Sequence, residues 1–321
     1  MNTRFFKSLK TFAITFCLIL VAANSPSSFA DSGYSDMVVF GDSLSDPGNV
    51  FVLTGQVSVR PYVEGNVPSA PYPIGQGKTF SNGPNWSQLV AKTLQLHGGT
   101  GPALRNQAFT NYAFGGARAS DAAGGPFDMS AQVAQYLTDN GAADPDALYA
   151  VWFGGNDVRD ALFAYFAGGA PAAQAVITAA ISNYATSMGI LIAAGATDFV
   201  VPNVPNVGLA PSVTAFGPQA SGLATLLSFA FNQGLSAVLD SLEGGFPGIS
   251  ITRVDMFTLI TAAVDNPGAF GFVNAEDACL TPVVYDGAIC KSPDGYLFWD
   301  GIHPTKVGHE LLADAVLSAM P

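Results

Sequence analysis

Ser43 has the residue type and the position of a catalytic nucleophile. It lies in the segment 41–46, Gly-Asp-Ser-Leu-Ser-Asp, directly after the apolar run 37–40, which predicts a first β-strand. A serine on a glycine-supported turn at the carboxyl end of such a strand is presented at the sheet edge where ligands bind. Because a serine hydroxyl is a weak nucleophile, it requires a histidine base and a carboxylate from elsewhere in the chain.

The base has few candidates, because the chain contains three histidines. His97 lies in a predicted surface turn, and His309 lies within the last predicted helix. His303 lies at the start of that helix, three residues after Asp300. Across a tight turn into a helix, residues three apart can face each other, so Asp300 can accept the Nδ1–H and leave Nε2 free for Ser43. The alternative is that the Asp-x-x-His pair is a helix cap beside a surface histidine.

Two glycine-rich segments contain candidate donors for an oxyanion hole, which holds the negative charge of a tetrahedral intermediate. Residues 111–117 leave a predicted strand through Gly115 and Gly116, where a missing side chain lets a backbone N–H approach a substrate. Residues 154–157 follow the next strand and include the side-chain amide of Asn156. Each segment also has an ordinary interpretation, since glycine ends many strands and Asn-Asp is common in turns.

The elements that would position these residues alternate between strand and helix. We predict five short strands, at residues 37–40, 107–114, 147–153, 198–201 and 249–254. We predict helices at residues 45–53, 84–96 with Asn82 as the cap, 128–137, 158–194 with a break near 168–171, 219–242 and 304–320. Long loops are expected at residues 55–78 and 266–301. This alternation predicts an α/β fold with a mainly parallel sheet and helices on both faces.

The first 30 residues have the pattern of a secretory signal peptide, with basic residues, a short apolar stretch and small residues before Asp31. We therefore expect a leader at residues 1–30, cleavage before Asp31 and one domain at residues 31–321. The alternative is an uncleaved N-terminal anchor. We expect no later segment that is long and apolar enough to span a membrane, and hence no stable membrane insertion.

Charge and cysteine usage narrow the function classes. The formal net charge is −12, and it becomes −15 for residues 31–321, where 9 basic residues face 24 acidic ones. Nucleic acid would be repelled, so nucleic-acid binding is disfavoured. In an exported chain, Cys279 and Cys290 are expected to form a disulfide, the alternative being two free thiols. The absence of a Cys-x-x-Cys motif argues against a metal site.

Four segments, in this order, resemble the SGNH subgroup of the GDSL-type esterases and lipases. They are residues 40–46, 111–117, 154–157 and 299–305, which together span the predicted domain. The resemblance implies a three-layer α/β/α sandwich of flavodoxin-like type around a mainly parallel five-stranded sheet, and chemistry without a cofactor or a metal. An ordinary α/β-hydrolase would instead carry Gly-x-Ser-x-Gly after a central strand.

The resemblance also implies a role for each candidate residue. Ser43 matches the nucleophile, and its backbone N–H matches one oxyanion donor. Gly116, rather than its neighbour, and Asn156 match the other two donors. Asp300 and His303 match the acid and the base. We therefore expect a secreted or periplasmic esterase or lipase that hydrolyses a small-molecule or lipid ester through an acyl-enzyme.

Two other functions remain open at this point. One is an acyltransferase of the same fold that moves the acyl group to an alcohol, and the other is a non-catalytic binding protein on a hydrolase fold. The oligomeric state is also open. Several aromatic residues near the motifs are either pocket walls, which would favour an apolar acyl or aryl ester, or plain core and loop anchors: Phe51, Tyr62, Tyr72, Phe80, Phe163, Tyr165 and Phe166.

Overall fold

Strand β1 (Met37–Gly41) leads directly to the turn with Ser43, and all five of its residues are buried. The computed structural model describes residues 33–57, 61–62, 78–121 and 124–321, so the expected leader lies outside the described residues. β1 is the first strand of a parallel sheet that continues, in this spatial order, with β2 (Leu148–Trp152), β3 (Asp198–Pro202) and β4 (Ser250–Val254). Apolar and β-branched side chains fit such strands, which are covered on both faces.

The second predicted strand, residues 107–114, is an extended segment beside β1 rather than a regular strand. Val39 N–H donates to the Thr110 carbonyl at 3.0 Å, and Tyr112 N–H donates back to the Val39 carbonyl at 2.8 Å. Regular pairing with β1 is limited to one bridge, between Val39 and Asn111. The buried side-chain amide of Asn111 donates to the Ser45 carbonyl in the turn after β1. With this segment counted second, the sheet order is 2-1-3-4-5, and ligands in such sheets bind where the order reverses, beside the end of β1.

Alternate residues of β1 enter two separate cores, because successive strand side chains point to opposite faces. Val38 and Phe40 belong to one core cluster and Met37 and Val39 to the other. The first core is covered by α3 (Met129–Asn140), α4 (Gly155–Ala193) and α6 (Pro218–Gly245). The second is covered by α2 (Trp86–Thr93), α7 (Met256–Asp265) and α8 (Lys306–Ala319). The architecture is therefore the expected three-layer α/β/α sandwich.

The remaining elements are short and lie at the sheet edges. They are the helices α1 (Asn49–Thr54) and α5 (Pro211–Thr214), the strands β5 (Asn274–Ala278) and β6 (Tyr296–Phe298), and 3₁₀ turns at Gly98–Thr100, Val207–Leu209, Pro267–Phe270 and Pro293–Gly295. β5 and β6 pair in parallel inside the stretch predicted as a loop. The sequence Asn-Ala-Glu-Asp-Ala of β5 has no apolar alternation, so its pairing was not recognisable from pattern.

The prediction from sequence that Asn82 caps α2 is wrong. Asn85 caps it, and its side chain accepts the Gln88 N–H at 3.0 Å in a reciprocal capping box. The Asn82 side chain instead accepts the Lys306 N–H at 2.6 Å, which links the start of α2 to the start of α8. Both asparagines precede the same apolar run, and only the packing of α2 against α8 separates their roles.

Helices α4 and α6 differ from the expectation about membrane spans. The predicted break is present as non-helical backbone at Gly169 (φ 72°, ψ −168°), but α4 resumes and reaches 39 residues. By length and composition both helices are able to cross a membrane, so the prediction that no such segment follows the leader is wrong. Both also pack on each other and supply the first core. A core helix meets the same criteria, and these alone do not indicate insertion.

Candidate active site

The turn that carries Ser43 is closed by Asp42. The Asp42 carboxylate accepts the Leu44 N–H at 2.9 Å, and the Asp42 carbonyl accepts two further backbone N–H groups at 3.0 Å. Gly41 is required by close packing, because a Cβ at this position would lie 2.9 Å from the Trp152 carbonyl oxygen of β2. The turn leaves Ser43 half-buried beyond the carboxyl end of β1.

His303 and Asp300 reach Ser43 from the other end of the chain. His303 Nε2 lies 2.8 Å from Ser43 Oγ. His303 Nδ1 lies 2.8 Å from Asp300 Oδ2 and 3.0 Å from Oδ1. The side chains of His303 and Asp300 are almost wholly buried. The three residues thus form one continuous chain of hydrogen bonds, which is the arrangement that serine, base and orienting carboxylate require.

The short turn between Asp300 and His303 allows one carboxylate to hold both backbone and ring. Asp300 Oδ1 accepts the N–H groups of Ile302 at 2.9 Å and of His303 at 2.8 Å, besides its contact with the imidazole. Trp299 N–H donates to the His303 carbonyl at 2.7 Å and closes the turn. The Phe80 ring packs against the imidazole, with ring centroids 5.2 Å apart. These contacts restrict the orientation of the His303 imidazole.

Asp300 is held in its ionised form. Burial acts to raise its pKa, but the neighbouring His303 and the hydrogen bonds that Asp300 accepts outweigh burial and lower the pKa below its ordinary value. The alternative interpretation, in which Asp300 caps the last helix, is wrong. Thr305 caps α8, since its Oγ1 accepts the Gly308 N–H at 3.1 Å. The carboxylate is therefore available to the imidazole.

Gly116 and Asn156 lie on two segments that are bonded to each other. Asn156 is the second residue of α4, and one N–H of its amide donates to the Ala117 carbonyl at 2.9 Å. α4 begins soon after β2 because Gly154 adopts φ 119°, where a Cβ would also lie 2.4 Å from a Val204 methyl. Gly116 has φ 84°, a conformation that favours glycine. Both glycines are thus explained by backbone geometry.

Two buried carboxylates hold the loop around Gly116 in place. Asp46 accepts the Gly115 N–H at 3.0 Å on one side, and Asp157 accepts the N–H groups of residues 119–120 at 2.8 and 3.0 Å on the other. Burial raises the pKa of both, that of Asp46 to about 6, although the N–H donors act in the opposite direction. No role was predicted for either residue, although Asp46 ends the segment 40–46 and Asp157 ends the segment 154–157, both of which carry the family resemblance.

Three N–H groups are left for a ligand at this edge. Within the described residues, the backbone N–H groups of Ser43 and Gly116 donate no hydrogen bond. The amide of Asn156 uses one of its two hydrogens on Ala117. Ser43 and Asn156 line the cavity at this edge, whereas Gly116 is not among the lining residues.

A cavity opens at Ser43, and both Ser43 and His303 line it. Its polar lining residues are Asp42, Ser43, Asn156, Arg159, Asn206 and His303. Its apolar lining comes from β2, β6, α7 and α8, from the segment after β3 and from the turn before His303: Trp152, Val207, Ile260, Leu297, Ile302 and Leu312. An apolar group fits beside the reacting atoms.

Where the structure describes them, the aromatic residues that the sequence offered as pocket walls do not line the cavity at Ser43. Phe80 packs against His303, Tyr62 is buried in the cluster around the disulfide, and Phe51 lines a separate pocket. Phe163 lines a groove next to the cavity, and Tyr72 lies outside the described residues. The apolar residues that do line the cavity, such as Trp152, Ile260 and Leu312, are indistinguishable from ordinary core residues in the sequence.

The structure contains a disulfide between Cys279 and Cys290. Cys279 N–H donates to the Phe298 carbonyl at 3.0 Å, and the next residue, Leu280, donates to the Trp299 carbonyl at 2.6 Å. The disulfide-closed loop therefore runs beside the last residues before Asp300 and supports the segment that carries the acid and the base.

The other two histidines are occupied elsewhere. His97 is exposed and lies against the Phe109 ring, with centroids 5.5 Å apart. His309 is buried, and its Nδ1 accepts the Trp86 N–H at 3.2 Å. Burial, with a smaller contribution from His303, lowers the pKa of His309 to about 3. Neither lines the cavity at Ser43.

Asp42→Asn is expected to be more stable than the wild type above neutral pH, and this gain in stability should be smaller at mildly acid pH. Burial raises the pKa of Asp42 to about 7, although the Leu44 N–H and His303 pull it down. The folded state therefore keeps a proton on Asp42 that the unfolded state releases, and the contribution of Asp42 to wild-type stability falls as pH rises from about 4 to about 7. Asparagine keeps the acceptor for Leu44 and removes this loss, by up to roughly 4 kcal/mol.

Urea unfolding of both proteins between pH 4 and pH 8 measures this effect, with the exposed Asp314→Asn as the control. A stability difference between Asp42→Asn and wild type that stays constant across this range would contradict the assigned burial of the Asp42 carboxylate.

Asp46→Asn is expected to destabilise the protein at every pH in the same urea experiment. The NH₂ of the asparagine would face backbone N–H groups that now donate to the Asp46 carboxylate.

A model of the family described as GDSL-like lipase/acylhydrolase matches residues 37–316. A GDSL esterase/lipase of Arabidopsis thaliana is 29% identical over 342 residues, which cover 98% of this chain and 96% of the relative. Esterase EstA of Pseudomonas aeruginosa is also 29% identical, over 95% of this chain but 49% of its own length. This chain thus spans about half of that relative.

Among solved structures, a catalytic mutant of Axe2, an acetylxylan esterase from Geobacillus stearothermophilus, aligns with a TM-score of 0.48 and 14% identity. The alignment covers 91% of this chain and 96% of the other. The matched region of the family model includes the turn at Ser43, both oxyanion segments and the turn at His303.

Proposed function

We propose that this chain, which belongs to the GDSL-like lipase/acylhydrolase family and is therefore a carboxylic ester hydrolase, acts through an acyl-enzyme on Ser43. The observation that carries the proposal is the hydrogen-bonded chain from Ser43 Oγ through His303 to Asp300. With Nδ1–H directed at Asp300, His303 Nε2 is free to accept the hydroxyl proton. The Oγ then attacks the ester carbonyl.

The tetrahedral intermediate collapses when His303 returns the proton to the leaving alcohol. Water enters, loses a proton to the same nitrogen, and attacks the acyl group to release the acid and regenerate Ser43 Oγ–H. Asp300 stays ionised throughout and stabilises the imidazolium. The negative charge on the carbonyl oxygen is held by the N–H groups of Ser43 and Gly116 and by the Asn156 amide. No step requires a cofactor or a metal.

Asn156→Ala is expected to lower kcat by about 10²- to 10³-fold, as the loss of one oxyanion donor does in other acyl-transfer enzymes. Asn183→Ala is a matched control. The Asn183 amide donates to the Ala119 carbonyl of the same loop, but Asn183 does not line the cavity. Steady-state kinetics on a p-nitrophenyl ester should show less than about a threefold effect for this control. Equal losses in both variants would mean that Asn156 only supports the loop.

The experiment that tests the reaction is labelling with a serine-reactive phosphonate followed by peptide mass spectrometry. The phosphonate should attach to Ser43, and the modification should abolish ester hydrolysis. Labelling elsewhere, or turnover that survives labelling, would refute the assignment of Ser43. If neither labelling nor turnover is observed across an ester panel, the protein is a binding module on a hydrolase fold.

The acceptor of the acyl group is tested by product analysis in the presence of an added alcohol. Hydrolysis is supported when the free acid is the main product, and an acyltransferase when the alkyl ester is. The signal-peptide pattern of residues 1–30 and the disulfide, a bond typical of oxidising compartments, support export as part of the proposal. N-terminal sequencing of the exported protein should begin at Asp31.

A further inference from the structure

A groove next to the catalytic cavity is not used by the steps above. It is walled by the first turns of α4, by α5 with the turn after it, and by residues near the disulfide. Arg159 lines both spaces. Pro211 and Gly301 of the groove are also the chain neighbours of Ala210 and Ile302 of the cavity. The two spaces are therefore adjacent, and they share the Arg159 side chain.

The groove is apolar although the protein is strongly acidic. The chain carries 24 acidic residues, yet among the described residues that line the groove there is no carboxylate, and Arg159 is the one charged group. The outer wall is formed by Phe163 and Phe216, whose rings meet edge to face with centroids 6.5 Å apart. They are 53% and 68% exposed. Large apolar side chains that wall a concave space in water are typical of a ligand groove.

Backbone contacts fix the groove relative to the active site. Ser212 N–H donates to the Gly301 carbonyl at 2.9 Å, which ties α5 to the turn between Asp300 and His303. On the opposite wall, Ala278 lines the groove immediately before the disulfide-bonded Cys279. A ligand in the groove thus meets a surface that is already positioned against the reacting atoms.

We propose that this groove binds the acyl chain of a long-chain ester, and that Phe163 and Phe216 determine the preferred chain length. The inference rests on the ester hydrolysis proposed at Ser43. A hydrocarbon chain needs no hydrogen-bonding partner, and each methylene transferred from water to such a surface favours binding by up to about fourfold. The acyl part remains attached after the alcohol has left, so a separate groove for it keeps the catalytic cavity open to water.

The test is a series of p-nitrophenyl esters, from acetate through butyrate and octanoate to dodecanoate, at concentrations below micelle formation. Phe163→Ala is expected to lower kcat/KM for dodecanoate by about tenfold and for acetate by less than about twofold. Ala215→Trp places an indole in the groove, since Ala215 is an exposed lining residue. It should remove the advantage of dodecanoate over butyrate.

Matched controls exist on α6. Phe229 is 52% exposed and meets the Phe257 ring at a centroid distance of 6.5 Å, but it lines neither space. Phe229→Ala and the exposed Ala237→Trp should leave the chain-length profile of the wild type unchanged. Melting temperatures close to that of the wild type establish that the variants are folded.

Two results overturn the groove proposal alone. One is an equal loss on acetate and dodecanoate in Phe163→Ala and Ala215→Trp. The other is a loss that follows the alcohol length in a series of alkyl butyrates but not the acyl length. Absence of Ser43-dependent hydrolysis of acetate by the wild type refutes the proposed function itself, and so the two failures are distinguishable.

Discussion

Replacing Ser43 with alanine is expected to lower kcat for ester hydrolysis by roughly 10⁴- to 10⁶-fold, as the loss of the nucleophile does in other serine hydrolases. His303 Nε2 would then have no hydroxyl at 2.8 Å from which to take a proton, and no acyl-enzyme can form. Residual turnover is expected to come from the oxyanion donors and from substrate binding. Steady-state and burst-phase kinetics with a p-nitrophenyl ester measure the change.

Ser130→Ala is the control for this substitution, because Ser130 lies on the surface of α3, where its hydroxyl donates to Asp121. Its activity should equal that of the wild type. Ser43 is only half-buried, so Ser43→Ala should retain its melting temperature. Turnover within about tenfold of the wild type in a folded Ser43→Ala protein would rule out the acyl-enzyme mechanism.

Asp300→Asn is expected to lower kcat by about 10³- to 10⁴-fold while the fold is retained. The asparagine oxygen can still accept the N–H groups of Ile302 and His303 that Asp300 Oδ1 now accepts. It cannot stabilise the imidazolium, and its amide favours the wrong tautomer of the ring. The loss should therefore appear in kcat more than in KM.

The pH dependence of stability separates charge from size at this position. Because the pKa of Asp300 is lowered in the folded state, its ionised form contributes stability above about pH 4, and this contribution is lost as pH falls through the folded pKa. The stability deficit of Asp300→Asn should thus be largest at neutral pH and shrink in acid. Asp314→Asn, on the exposed side of α8, is the control, with no loss of activity. Activity of Asp300→Asn near that of the wild type would contradict the proposed role.

Local motifs allowed the candidate site to be predicted because each is closed by its own short-range bonds. Asp42 closes the turn at Ser43, and Asp300 holds the turn to His303 by its own carboxylate. The alternation of apolar strands with helices likewise predicted the α/β sandwich. Strands β5 and β6 were missed, since β5 has no apolar period and β6 has only three residues, so that their pairing depends on tertiary contact.

The residues of the sequence by themselves determined which groups are candidates for the reaction: a serine after β1, an Asp-x-x-His pair and two glycine-rich segments with possible donors. Tertiary structure decided which walls and supporting contacts surround these groups. The cavity walls on α7 and α8, the anchoring of the Gly116 loop by Asp46 and Asp157, and the groove at Phe163 and Phe216 come from segments far apart in the chain. Apolar side chains at these positions look the same in sequence whether they fill a core or line a cavity, because only their packing partners differ.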